Sequence, residues 1–292
     1  MVLLAFATLV VSSLLSSCGL FGIDLGVDGL SVREVTIGDS DRSAIVVAPE
    51  AHHPDSPGSG ELPLVVIMHG LAMTAEDMAR TPGWPARVAE GGFMAVFPQG
   101  TDDSWDAGGC CGDAVTNNVD DVTFLDDVIS QMVSEQGADA DRVYVTGFSN
   151  GAMMTYLYAC SRPDAIVGAA SVAGTNFSDC EPTEAIPFLQ VSGSEDPVIP
   201  VLGGTSSLPD IAEVPSVEES ILAVARGAGC DAPTGAVEEH MTSFRATGCR
   251  NGAQVGYDVI DGLGHTYPTA DESPQYVAVD EILEFWGLSV PG

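Results

Sequence analysis

VYVTGFSNGAMM (residues 143–154) decides the fold. A run of β-formers ends in Gly147-Phe148-Ser149-Asn150-Gly151, and an apolar, Met-rich run of helical character follows at once. A serine between two glycines, where a strand gives way to a helix, is either an ordinary turn or a nucleophile on a strained elbow. In the second reading the glycines let the backbone turn sharply without a Cβ clash. The helix that follows points its N-terminal N–H groups and dipole at developing negative charge. The pentapeptide G-x-S-x-G is a weak signal alone. Strand before and helix after strengthen it, and it then requires an acid and a histidine further along.

Both follow, in that order. Val191-Ser192-Gly193-Ser194-Glu195-Asp196 places a carboxylate just past a buried strand, and Asp261-Gly262-Leu263-Gly264-His265 places a histidine just past the last strand. Ser149, Asp196, His265 is the chain order of the α/β hydrolases. His265 would act as general base toward Ser149, and Asp196 would fix its tautomer and stabilise the imidazolium. The other histidines have poorer settings. His52 and His53 lie in a polar Pro-rich loop, His69 precedes Gly70, and His240 is in an acidic connection. Glu195, Asp258 and Asp261 rival Asp196, whose place directly after the preceding strand favours it. An oxyanion hole needs two backbone donors, expected from Asn150 and from Leu71 in Met68-His69-Gly70-Leu71.

Strand-like runs recur at 32–37, 44–47, 64–68, 93–97, 143–146, 167–172, 188–191 and 255–260. Helical patterns occupy 120–135, 152–160, 216–226 and 274–286. Several strands are unbroken apolar runs, as central strands covered on both faces require. The alternation predicts an α/β fold, a mostly parallel sheet with helices on both faces. Between the runs ending near Val172 and starting near Pro187 there is no room for a large lid, so the site should be open to bulky or polymeric substrates. Residues 29–292 read as one catalytic domain.

Composition bounds the partners and the compartment. Acidic residues number 42 against 9 basic ones, all of them Arg, for a net charge of -33. Such a charge repels phosphates, so nucleic acid and anionic membrane are excluded as partners. It fits either a protein adapted to high salt, which would lose activity at low salt, or simply an acid-rich surface. Residues 1–18 read as an export signal whose Leu15-Ser16-Ser17-Cys18 resembles a lipobox, with 19–28 as a tether. Cys18 would be the acylated residue, although the n-region lacks Lys and Arg; a plain signal peptide is the other reading. Either way the domain is exported, as a surface lipoprotein or a secreted protein, touching membrane only through an anchor.

Six further cysteines, an even number, fit disulfides in an exported chain. Cys230 and Cys249 flank one loop and are expected to pair, adding about 3 kcal/mol by loop closure. Cys110, Cys111, Cys160 and Cys180 allow three pairings, a vicinal Cys110–Cys111 ring among them. No Cys-x-x-Cys or nearby His completes a zinc set, so no metal is expected.

Six blocks carry a resemblance over residues 30 to the C-terminus: LPLVVIMHG (62–70), FPQGTDDSWDAGGCCG (97–112), NNVDDVTFLDDVI (117–129), GFSNGAMM (147–154), GSEDPVIP (193–200) and GLGHTYP (262–268). The chain resembles the polyhydroxybutyrate depolymerase and feruloyl esterase group of secreted α/β hydrolases. The resemblance implies ester hydrolysis through an acyl-enzyme, no cofactor, and substrates such as feruloylated or acetylated plant polysaccharide or aliphatic polyester. Two positions depart from the group: Leu71 stands where Cys is common, and Tyr267 where Trp is common. Tyr267 and Trp105 are candidate substrate contacts, with core packing the other reading of Trp105. Asp120-Asp121 reads as a helix N-terminal feature. A monomer is expected. The triad leaves a peptidase or acyltransferase on the same fold open. So is a binding protein that keeps the fold without turnover, which a serine-reactive fluorophosphonate would separate.

Overall fold

The computed structural model describes residues 23–52, 60–180, 183–209, 211 and 213–288. The export, lipobox and Cys18 readings lie outside these residues. Among them ten strands join in one sheet: β1 (Leu30–Thr36), β2 (Ser43–Pro49), β3 (Leu62–Met68), β4 (Met94–Pro98), β5 (Ala138–Phe148), β6 (Gly168–Val172), β7 (Phe188–Gly193), β8 (Thr234–Val237), β9 (Met241–Ala246) and β10 (Val255–Ile260). Their order is β1-β2-β4-β3-β5-β6-β7-β10-β9-β8. The six strands from β4 through β10 in that order are parallel, and antiparallel pairs close the two edges.

The apolar runs explain the layers. Strand side chains alternate between faces, so Leu64, Val66 and Met68 of β3 enter one core while Val65 and Ile67 enter the other. Helices α4 (Asp121–Gln136), α5 (Asn150–Ser161) and α6 (Val217–Gly227) cover the first face. The second is covered by α1 (Ala75–Ala79), α2 (Trp84–Ala89) and α7 (Ala278–Trp286). The fold is therefore the expected α/β hydrolase. The stretch between β6 and β7 carries no helix among its described residues.

The structure departs from the sequence expectation at its periphery. The β8–β9 hairpin extends the sheet beyond β10 and lies between the paired Cys230 and Cys249. All four residues of β8 are exposed, so no apolar pattern marks it. Helices α1, α2 and α3 (Gly112–Thr116) are five or six residues long, too short for a helical period to register. Helix α7 starts at Ala278 rather than 274, because turns through Ser273 and Tyr276 precede it. The other disulfides are Cys110–Cys111 and Cys160–Cys180.

Candidate active site

In an open parallel sheet, ligands sit beyond the carboxyl ends of the strands where the strand order reverses. Here the chain runs outward from β3 to β4 and then returns to place β5 on the other side of β3. The loops after β3 and β5 therefore meet at the crevice, and they carry Leu71 and Ser149.

Ser149 has φ 52° and ψ −114°, a conformation that costs a non-glycine residue free energy and persists only when its surroundings impose it. Its N–H donates to the Val172 carbonyl at 2.9 Å and its carbonyl accepts the Met153 N–H at 3.0 Å. A Cβ on Gly147 would run into the Gly151 carbonyl, and one on Gly151 into the Met68 carbonyl. The glycines thus let β5, β3 and α5 approach closely enough to hold the serine in this pose.

His265 Nε2 lies 2.9 Å from Ser149 Oγ, and its Nδ1 lies 2.8 Å from Asp196 Oδ2. Asp196 Oδ1 accepts the N–H groups of Val198 and Ile199, both at 2.8 Å. With Oδ1 occupied, Oδ2 is left for the imidazole, which fixes the proton on Nδ1 and leaves Nε2 to accept from the serine hydroxyl. The Asp196 side chain is fully buried, and that of His265 is 17% exposed. The loops bearing Asp196 and His265 are tied together. Ser194 N–H donates to the Ile260 carbonyl at 2.9 Å and Glu195 N–H to the Leu263 carbonyl at 3.0 Å. Phe148 packs on the His265 ring at 5.2 Å between centroids.

The rival groups are engaged elsewhere. Asp258 is buried against Arg245, at 2.5 and 3.0 Å, and accepts the Tyr276 hydroxyl at 2.9 Å. Glu195 and Asp261 are exposed. His52 Nε2 bonds the Gln136 carbonyl at 2.9 Å, His240 is exposed beside Glu239, and His53 lies outside the described residues.

His69 is fully buried and has a task the sequence reading missed. Its Nε2 accepts the Gly100 N–H at 2.9 Å, which puts the proton on Nδ1, and that donates to the Gly70 carbonyl at 2.8 Å. Burial lowers its pKa and keeps the ring neutral. The Gly70 carbonyl and the Leu71 N–H share one peptide plane, so pinning the first fixes the direction of the second. The Leu71 N–H makes no other hydrogen bond among the described residues. Asn150 opens α5, where an N–H has no intrahelical acceptor. Its side chain has a second role: Oδ1 accepts the Trp105 N–H at 2.8 Å, and Nδ2 donates to the carbonyls of Trp105 and Cys110 at 3.1 and 3.3 Å.

Two expectations are corrected. Trp105 is fully buried, and its indole N–H donates to the His69 carbonyl at 2.9 Å. It wedges the loop after β3 from behind and cannot be a substrate platform. Tyr267 is 8% exposed, and its hydroxyl accepts the Trp84 indole N–H at 3.1 Å while burial raises its pKa. It belongs to the core behind Phe148. Asp120 caps α4 through the Thr123 N–H as expected, whereas Asp121 is buried 2.7 Å from Arg42.

A cavity of about 610 Å³ opens beside the site, lined among others by Leu71, Cys110, Cys111, Phe177, Leu208 and Ile211. Its residues come from four separate segments, so no local motif announces it. A smaller apolar cavity of about 180 Å³ between α6 and the β9–β10 pair includes none of the site residues.

The profile of the phospholipase/carboxylesterase family matches residues 115–219, a span that holds Ser149 and Asp196. "Putative esterase NocK" of Nocardia uniformis subsp. tsuyamanensis is 32% identical over 237 residues, covering 73% of this chain and 69% of that protein. "Feruloyl esterase B" of Piromyces equi is 26% identical over 223 residues, covering 71% of this chain, which spans 40% of that protein's length. Among solved structures, an acetyl xylan esterase from Aspergillus awamori matches 89% of this chain and 100% of its own, with a TM-score of 0.65 and 18% identity, a likeness of fold.

Proposed function

The chain belongs to the carboxylesterase family of α/β hydrolases, and from that premise we propose that it hydrolyses carboxylic esters through an acyl-enzyme on Ser149. The observation that carries this reading is the unbroken chain Ser149 Oγ–His265–Asp196, at 2.9 and 2.8 Å. His265 Nε2 takes the Ser149 proton as Oγ attacks the ester carbonyl. The oxyanion that forms accepts the Leu71 and Asn150 N–H groups, aided by the N-terminal dipole of α5. His265 then gives its proton to the leaving alcohol. In the second half a water loses its proton to His265 and attacks the acyl carbonyl, the bond to Oγ breaks, and the serine regains its proton. Asp196 stabilises the imidazolium in both halves. Oriented backbone donors and an activated serine suffice for these steps, which call for no cofactor.

Polymer-borne esters are the substrates we favour, feruloyl or acetyl esters of plant polysaccharide or an aliphatic polyester. The name of the feruloyl esterase relative and the connection between β6 and β7, helix-free among its described residues, support that choice. Three disulfides fit an oxidising, exported setting. Anchoring through Cys18 is tested by fractionation: Cys18→Ala should move the protein from membrane to medium.

Activity is tested with 4-nitrophenyl butyrate on residues 29–292 beside Ser149→Ala. Turnover by the first and none by the second is expected. Equal rates would end the proposal.

A further inference from the structure

The cavity beside Ser149 carries information about the acyl group that the triad does not. Leu71, the expected oxyanion donor, lines it, as does Cys110, whose carbonyl is held by the side chain of Asn150. His265 and Ser149 do not line it. The leaving oxygen must reach His265 Nε2 to collect its proton, so the alcohol arm lies on the histidine side of the carbonyl. The arm that remains on Ser149 lies away from His265, and this cavity, lined by Leu71 and the Cys110–Cys111 disulfide and not by His265, can take it. The cavity is therefore placed for the acyl group.

Its walls join apolar side chains, from Leu71, Val115, Phe177, Leu208 and Ile211 with the disulfide, to polar surface, and among the described residues two charged side chains line it, Asp113 and Glu213. Both residues are exposed, so they stand at the mouth. Among the described residues no arginine lines the cavity, and the chain has no lysine at all. Six of the nine arginines pair with acidic residues elsewhere. An anionic acyl group would thus meet two like charges and no counter-charge.

We propose that this cavity is the acyl pocket and that Asp113 and Glu213 make it select acyl groups free of negative charge. It rests on the esterase reading given above. Polymers with neutral acyl groups fit the pocket, and acid-terminated acyl chains do not.

The test uses two 4-nitrophenyl esters of equal chain length, the mono-ester of adipic acid, which ends in a carboxylate, and its methyl ester, which is neutral. Wild type at low salt should favour the neutral one in kcat/KM by about tenfold, the factor like charges a few ångströms apart produce in a hydrated site. Asp113→Asn combined with Glu213→Gln should bring that ratio close to one. A second pair carries the charge on the leaving side: the hexanoyl esters of 3-hydroxybenzoate and 3-hydroxybenzamide. Their ratio should be the same in wild type and variant, since it senses the charge of the whole protein and not the pocket mouth. A wild-type acyl-side ratio near one overturns the proposal, and so does a ratio the double variant leaves unmoved. In both cases turnover of the neutral ester leaves the esterase reading standing. Failure of wild type to hydrolyse any of the four esters, at low salt and in molar NaCl alike, overturns that reading and this proposal together.

Discussion

His69 Nδ1 stands 2.8 Å from the Gly70 carbonyl, while Nε2 of the same ring accepts the Gly100 N–H at 2.9 Å. The ring therefore braces the loop after β3 against the loop after β4, and Trp105 closes the brace by donating to the His69 carbonyl. What the brace orients is the Leu71 N–H, one of the two donors assigned to the oxyanion.

His69→Gln should therefore lower kcat by tenfold or more with little change in KM. Loss of a whole oxyanion donor costs about 10²–10³ in kcat, and a misdirected one a part of that. Steady-state kinetics on 4-nitrophenyl butyrate, with the melting temperature measured alongside, separates a positioning role from loss of fold.

The same residue sets a pH dependence of stability. Burial holds its pKa below the ordinary imidazole value of about 6.5. As pH falls through that value the unfolded chain takes up a proton that the folded one refuses, so stability falls. The contribution is complete above pH ~6.5 and is lost as pH drops toward the depressed folded value. Asp77, Asp120 and Asp139, whose hydrogen bonds lower their pKa values, act in the same direction only around and below pH ~4. Asp121 and Glu281, raised by desolvation, act in the opposite direction. Urea midpoints at pH 7.5 and 5.5 should show a drop for wild type and a smaller one for His69→Gln.

Asp196→Asn should keep the fold and lose the reaction. The asparagine oxygen can still accept from Val198 and Ile199, but its NH₂ would then face Nδ1 and force the wrong tautomer on His265. A fall in kcat on the order of 10⁴ is expected, with KM and melting temperature little altered.

Arg42 and Asp121 form a buried charge contact at 2.7 Å, with side chains 17% and 0% exposed. Arg42 also lies over the Phe124 ring at 3.4 Å and donates to the Gln99 carbonyl at 3.1 Å. Removing one partner of such a pair leaves a buried charge alone, so Arg42→Met should cost about 3 kcal/mol. Adding Asp121→Asn should recover part of that loss, which denaturant unfolding of the single and double variants would measure.

Which of these features could be seen in the chain follows from how local they are. The run ending at Met68, the glycines around Ser149, and the turns bearing Asp196 and His265 each announce themselves within a dozen residues, because strand burial and turn chemistry are local. The sheet and the placement of Ser149, Asp196 and His265 were legible for that reason. The task of His69 was not, since it depends on Gly100, which comes beside it only when β3 and β4 pair. Trp105 allowed both a substrate contact and core packing, Tyr267 read as a substrate contact, and burial beside Phe124 of α4 and against Trp84 decides for the core. The cavity at Leu71 joins four segments, and the exposed strand β8 has no apolar signature to read.

The central claim is that Ser149 is the nucleophile, activated by His265. Treatment with a fluorophosphonate followed by peptide mass spectrometry tests it most directly. The account predicts one adduct, on Ser149, absent from Ser149→Ala and formed far more slowly in His265→Ala. An adduct on another serine, or labelling of Ser149 that proceeds equally fast without His265, would contradict it.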